Sequence, residues 1–201
     1  MLDRAHTPLY PVFLKLAGQA VLLVGAGKVA SARLPELLRA GARVTVVAPV
    51  ARAEIMSHEG VILVQRPFVP RDLDNVWFVV AAAPPEVNRQ VAAAAQERRV
   101  FVNVVDDLER ASAYTGGVFR RGGVTIAVST EGRAPALAGL LREGLETLIP
   151  EDVDTWVRAA AQLRREQRAA GVPMRERRPL LLNALNTLYA EGEAEPAEVR
   201  W

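Results

Sequence analysis

Three short segments carry residue types whose spacing could do chemistry. The first is Gly25-Ala26-Gly27-Lys28-Val29-Ala30, a G-x-G-x-x-A. Gly25 permits a tight strand-to-helix turn, Gly27 lets a pyrophosphate approach the backbone, and Ala30 lets helix and strand pack closely. The helix that follows would offer free N–H groups and its positive dipole end to phosphates. The plainer reading is a tight turn and nothing more. Placement between an apolar run and a helical pattern favours the phosphate site. Such sites usually add an Asp or Glu about 20 residues on, at the end of the second strand, to hold ribose hydroxyls. Here that strand ends Val47-Ala48-Pro49-Val50, with no acid until Glu54. Ribose contacts would then come from backbone groups. Arg52 could meet a 2′-phosphate or be a solvated surface residue, so NAD and NADP both stay open.

The second segment is Asn103-Val-Val-Asp106-Asp107, at the end of another apolar run. A carboxylate at the carboxyl end of a strand in an open α/β sheet faces the ligand cleft. It can donate or accept a proton, or hold a metal ion. Alternatively, Asp106 or Asp107 caps the next turn. The third is Ile126-Ala-Val-Ser129-Thr130-Glu-Gly-Arg-Ala-Pro135, a strand, a polar turn and a helix start. Hydroxyls and amides there could hold an anion or form an ordinary N-cap. Of the 25 bases only Lys15 and Lys28 are lysines. Arginine binds carboxylates bidentately, although genome base composition produces the same bias. The arginines from Arg158 to Arg178 are interrupted by Glu166 and Glu176 and read as a solvated helical face.

The elements that must position these residues alternate between two periods. Strands are expected at Ala20–Val24, Arg43–Ala48, Val61–Val64, Val76–Val80 and Val100–Val105. Helices are expected at Val29–Ala40, around Ala51–His58, and from Pro84-Pro85 through Val87, Val91 and Ala95. Gly41 falls where a helix C-terminal cap belongs. Strand and helix in alternation mean βαβ units and a parallel sheet covered on both faces. After about Asp107 the pattern changes. Tyr114–Phe119 and Val124–Val128 flank Arg120-Arg-Gly-Gly123, a hairpin signal. Helices follow at Pro135–Leu148, Asp152–Ala170 and Arg175–Ala190, with a weakly docked end from Glu191 to Trp201. The expected division is 1–112 for the sheet domain, 113–150 for hairpin and helix, and 151–201 for a helical module. A hairpin and helices this small often complete their core against a second copy.

At 201 residues, 50% hydrophobic and 24% charged, the chain is globular and able to bury a core. Its net charge of +2 comes from interleaved acids and bases, which gives no reason to expect a nucleic-acid partner. Without cysteine, disulfides, thiolate zinc sites and cysteine nucleophiles are excluded. With His6 and His58 as the two histidines, a histidine-rich metal site is not expected. The amino terminus lacks a signal-peptide profile, and no apolar run approaches the roughly 18 residues that span a bilayer. A cytoplasmic protein with no membrane partner is expected.

Taken together, the segments resemble the precorrin-2 dehydrogenase family, the NAD-binding part of siroheme synthase. The resembling pieces are Tyr10–Leu16, Val24–Ala30, Leu37–Pro49, Asn103–Asp107 and Thr125–Ala138, in the family's order. The resemblance implies a Rossmann-like parallel sheet, a β-hairpin/helix dimerisation region and a C-terminal helical module. It implies a homodimer that oxidises precorrin-2, a tetrapyrrole, to sirohydrochlorin with NAD as hydride acceptor. Some members also insert ferrous iron to give siroheme. The family's key carboxylate matches Asp106, which would also serve the metal in chelation. Its cofactor contacts match Lys28, Val29, Pro49 and Val50, beside Gly25, Ala26 and Gly27. Ser129 and Thr130 would meet substrate carboxylates.

The chain also departs from the family pattern. Ala82-Ala83-Pro84-Pro85 replaces an Ala-Ala-Thr followed by Asp or Asn, and Ala113 and Gly116 stand where the family has Phe and Pro. These changes leave two rival readings: a non-catalytic, NAD-responsive regulatory module, and a chelatase without dehydrogenase activity.

Overall fold

The computed structural model describes residues 8–192, with side chains through 187. His6 and most of the expected weakly docked end therefore lie outside the described residues. The chain forms two compact units. One runs to Thr115 and includes Glu131–Arg133; the other is Gly116–Thr130 and the residues from Ala134 on.

The first unit holds five strands: β1 Ala20–Val24, β2 Arg43–Val47, β3 Ile62–Val64, β4 Phe78–Ala81 and β5 Phe101–Val104. All pairings are parallel, in the order β3-β2-β1-β4-β5. The central strands explain their own sequences. Val21–Val24 and Phe78–Ala81 are buried throughout, so they read as unbroken apolar runs rather than as alternating ones. Helices α1 (Lys28–Arg39), α2 (Ala53–Met56) and α3 (Pro85–Arg98) link them.

Because successive strand residues face opposite sides, the sheet sorts its partners. Val21 and Leu23 join Ala30, Leu34 and Leu37 of α1 in one cluster. Leu22 and Val24 join Val91, Ala92 and Ala95 of α3 in the other. Each large apolar side chain so buried contributes about 1.5–3 kcal/mol. Helix α1 ends where expected: Gly41, at φ +75°, and Ala42 donate their amides to the Leu38 and Leu37 carbonyls at 2.9 and 3.2 Å.

One element was not expected from the pattern, a single 3-10 turn at Pro70–Leu73. Asp72 holds it by accepting the Val69 amide at 2.9 Å and a forked bond from Arg66 at 2.8 and 2.5 Å. Leu73 is thereby driven into the core.

The second unit holds the antiparallel hairpin β6 (Gly117–Arg121) and β7 (Val124–Val128), then α4 (Pro135–Leu148), α5 (Val153–Ala169) and α6 (Met174–Gly192). Gly122 and Gly123, at φ +51° and +82°, make the two-residue turn that this hairpin needs. The hairpin starts later than expected. Ser112 and Ala113 instead donate their amides to the Val102 carbonyl at 2.9 and 3.0 Å, and so run along the edge of β5. Gly116 lies so close to the Val128 carbonyl that a β-carbon would overlap it, which accounts for a glycine there in place of a ring. Among the described residues of this unit the buried hydrophobic ones are Phe119, Ala138 and Val153. Arg121 donates to the Ile149 carbonyl beyond α4, and its guanidinium sits 5.0 Å over the Phe119 ring. Among the described residues no helix is long and apolar enough to cross a membrane.

Candidate active site at the carboxyl edge of the sheet

Sheet register places the motif residues in one row. Val24 pairs with Val47 and with Ala81, and Ala81 pairs with Val104. Each ladder runs one residue further. Gly25 donates to Val47, Ala48 to Val64, Ala82 to Val24 and Val105 to Ala81. Ala48, Gly25, Ala82 and Val105 are therefore level, and the segments that follow them form the carboxyl rim. The order of connections reverses between β1 and β4, the crevice where open α/β sheets bind ligands.

Gly25 is required at its position. Its φ is +102°, and a β-carbon would run into the Ala82 carbonyl. Gly27 differs: a β-carbon there would meet nothing within 4 Å. It is the exposed N-cap of α1 with no side chain capping the helix. No side chain caps the first-turn amides; Lys28 and Val29 are exposed, and Ala30 is fully buried against the sheet. Uncapped amides at such a helix start are the kind of group that holds a phosphate. Lys28, Val29, Pro49 and Val50 are all exposed around it. Arg52 lies one strand over, its amide donating to the Ala26 carbonyl at 3.2 Å. Its guanidinium is held by Glu54 through two bonds, 3.0 and 3.2 Å.

Next along the rim, the Ala82–Pro85 segment carries no polar side chain. Helix α3 supplies one from below: Asn88, 6% exposed, accepts the Ala83 amide on Oδ1 at 3.0 Å. The motif reading missed Asn88. The signal was available, since position 88 shares a helical face with Val91, Ala92 and Ala95.

The paired carboxylates after β5 separate into two roles. Asp107 caps the following turn, accepting the Arg110 amide at 3.2 Å and its guanidinium at 2.8 Å. The Arg110 hydrogen bond, with Arg89 nearby, holds its carboxyl below the usual range. Asp106 is exposed, at φ +59°, a left-handed conformation that Asp tolerates. No hydrogen bond or ion pair involves its carboxylate among the described residues. Two strand spacings separate β5 from β1, so the carboxylate's segment stands about 10 Å along the rim from the glycine turn. Asn103 is buried, and its Nδ2 donates to the Ala113 carbonyl at 3.0 Å, a structural bond.

In the second unit, Thr130 accepts the Ala134 amide at 3.2 Å and so closes the turn before α4, while Ser129 is exposed. Among the described residues there is no group of three His, Cys, Asp or Glu side chains able to hold a metal ion.

Residues 12–117, more than half the chain, match the family described as "Putative NAD(P)-binding". The chain belongs to this family. Residues 121–148 also match the sirohaem biosynthesis protein central family, which covers the hairpin and α4. Among relatives of this NAD(P)-binding chain is the siroheme synthase of Photorhabdus laumondii, 38% identical over 196 residues. Siroheme synthase 3 of Aeromonas hydrophila is 40% identical over 196 residues. These alignments cover 94% and 93% of this chain but 42% of each relative. The chain therefore spans less than half the length of the curated relatives it matches. Among solved structures, the precorrin-2 dehydrogenase SirC superposes with a TM-score of 0.68 at 27% identity, covering 87% of this chain and 88% of that one.

Proposed function

We propose that this protein is a cytoplasmic, NAD-dependent dehydrogenase that converts precorrin-2 to sirohydrochlorin in siroheme biosynthesis. The observation that carries the reading is the pairing, on one rim, of an uncapped glycine turn with a carboxylate, Asp106, that has no partner among the described residues. The likeness to siroheme synthases and to SirC supports the same reading.

The residues fit a dinucleotide. Gly25, Ala26 and Gly27, with the amides of Lys28 and Val29, would hold its pyrophosphate, and Pro49 and Val50 would border its adenosine. NAD, when bound, supplies a two-electron hydride acceptor. What the chain itself supplies is a base: losing a hydride, precorrin-2 must also lose a proton, and the Asp106 carboxylate is free to take it. Asp107 does not compete, because Arg110 occupies it. The Asn88 bond to Ala83 steadies the rim between turn and base. We assign Ser129 and Thr130 to substrate carboxylates on their chemistry, hydroxyls that can donate to an anion. Retention of Asp106 favours an enzyme over a regulatory module, despite the apolar Ala82–Pro85 segment.

A homodimer completes the proposal. Leu137, Leu140, Leu141 and Leu148 line one stripe of α4 and are all exposed, while few of the unit's described hydrophobic residues are buried. Purified protein incubated without oxygen with precorrin-2 and NAD should yield sirohydrochlorin and NADH in equal amounts. Sirohydrochlorin that accumulates at the same rate without NAD overturns the dehydrogenase reading.

A further inference from the structure

The end of β2 is where a dinucleotide site tells NAD from NADP, usually by an acid that binds the ribose hydroxyls and repels a 2′-phosphate. This chain has no acid from Ala48 to Ala53. What stands there is Arg52, the residue type that accommodates a 2′-phosphate, with its backbone bonded to the Ala26 carbonyl inside the glycine turn. Left alone, that arginine would favour NADP.

It is not left alone. Glu54 grips the guanidinium along its Nε–Nη2 edge, Oε1 accepting from Nη2 at 3.0 Å and Oε2 from Nε at 3.2 Å. The pair does little for the fold, because both side chains are at least half exposed and exposed ion pairs contribute little to stability.

We infer that Glu54 acts through Arg52 as the specificity switch of the nucleotide site, masking the guanidinium so that a ribose 2′-hydroxyl is accepted and a 2′-phosphate is rejected. The inference rests on the dinucleotide reading above and adds the residues that choose between its two forms. The physics has two parts. A bidentate carboxylate occupies the Nε–Nη2 edge, the side-on fork that a phosphate would otherwise use. A 2′-phosphate carries close to two negative charges at pH 7, and Glu54 adds a repelling charge beside it. The lowered carboxyl of Glu54 and the raised guanidinium of Arg52, each caused first by their shared hydrogen bond, keep the clasp charged across the physiological range.

The test is calorimetric titration of the full chain with NAD and with NADP, read as the ratio of the two dissociation constants. In the wild type NADP binds more weakly. In Glu54→Gln the NADP-to-NAD ratio falls roughly tenfold, and the gain shrinks as salt is raised. In Arg52→Ala/Glu54→Gln the gain disappears. An unchanged ratio in Glu54→Gln overturns the inference, as does a gain that survives loss of Arg52. Both outcomes leave the NAD reading intact, whereas no uptake of either nucleotide by the wild type overturns both.

Discussion

The Ala83 amide donates to the buried Oδ1 of Asn88 at 3.0 Å, and the Ala82 carbonyl next to it closes over Gly25. Helix α3 thus braces the loop that walls one side of the glycine turn. Asn88→Ala leaves a half-buried amide without its acceptor, so a loss of about 1–3 kcal/mol in denaturant unfolding is expected, with weaker NAD binding. Asn88→Asp keeps the acceptor and should recover most of the NAD affinity. Equal loss in both variants would show that packing, rather than the bond, is what matters.

The two motif glycines should fail differently. Gly25→Ala meets both a left-handed φ and the Ala82 carbonyl, and should lower thermal stability markedly, by several kcal/mol. Gly27→Ala meets open space and should melt within a few degrees of the wild type, yet lose NAD affinity tenfold or more because the methyl stands where phosphate approaches. Calorimetry beside thermal melts separates the cases.

Much of this arrangement was readable beforehand, and the reason is periodicity. β1 and β4 are buried on both faces, so their unbroken apolar runs could hardly belong elsewhere. Gly41 and the pair Gly122-Gly123 announced their turns because few other residues adopt positive φ. What stayed hidden depended on geometry with no period. Asp106 and Asp107 are neighbours of identical type, and only the turn conformation decides that Arg110 takes the second and leaves the first free. The 3-10 turn at Pro70–Leu73 exists because of a forked Arg66–Asp72 bond across six positions, which no local pattern encodes. Arg52 and Glu54 are two surface residues in sequence and a clasp in space.

The Arg66–Asp72 fork gives stability a pH dependence. Burial pushes the Asp72 carboxyl up, but the bonds from Arg66 and the Val69 amide outweigh it, so the group is held below its ordinary 3.8. A depressed carboxyl contributes stability above its unfolded pKa and loses it as pH falls through the folded value. Asp72→Asn should therefore cost about 1–3 kcal/mol near neutrality, toward the low end because Arg66 is partly exposed. The gap from wild type should stay constant down to about pH 5 and narrow below pH 4. A gap that widens on acidification contradicts this origin.

The exposed stripe on α4 predicts its own assay. Leu140→Glu places a charge among Leu137, Leu141 and Leu148 and should convert a dimer to a monomer by light scattering at micromolar concentration, with NAD binding retained. A monomeric wild type at that concentration would contradict the proposed assembly.

In the proposed reaction Asp106 takes the proton while a bound nucleotide takes the hydride. The direct measurement is single-turnover NADH formation from precorrin-2 at saturating NAD, comparing wild type with Asp106→Asn. Because Asp106 is exposed and asparagine also tolerates its backbone angle, the variant should fold and bind NAD as the wild type does, and its rate should fall about a hundredfold or more. A variant that binds NAD normally and reduces it at the wild-type rate would contradict the account.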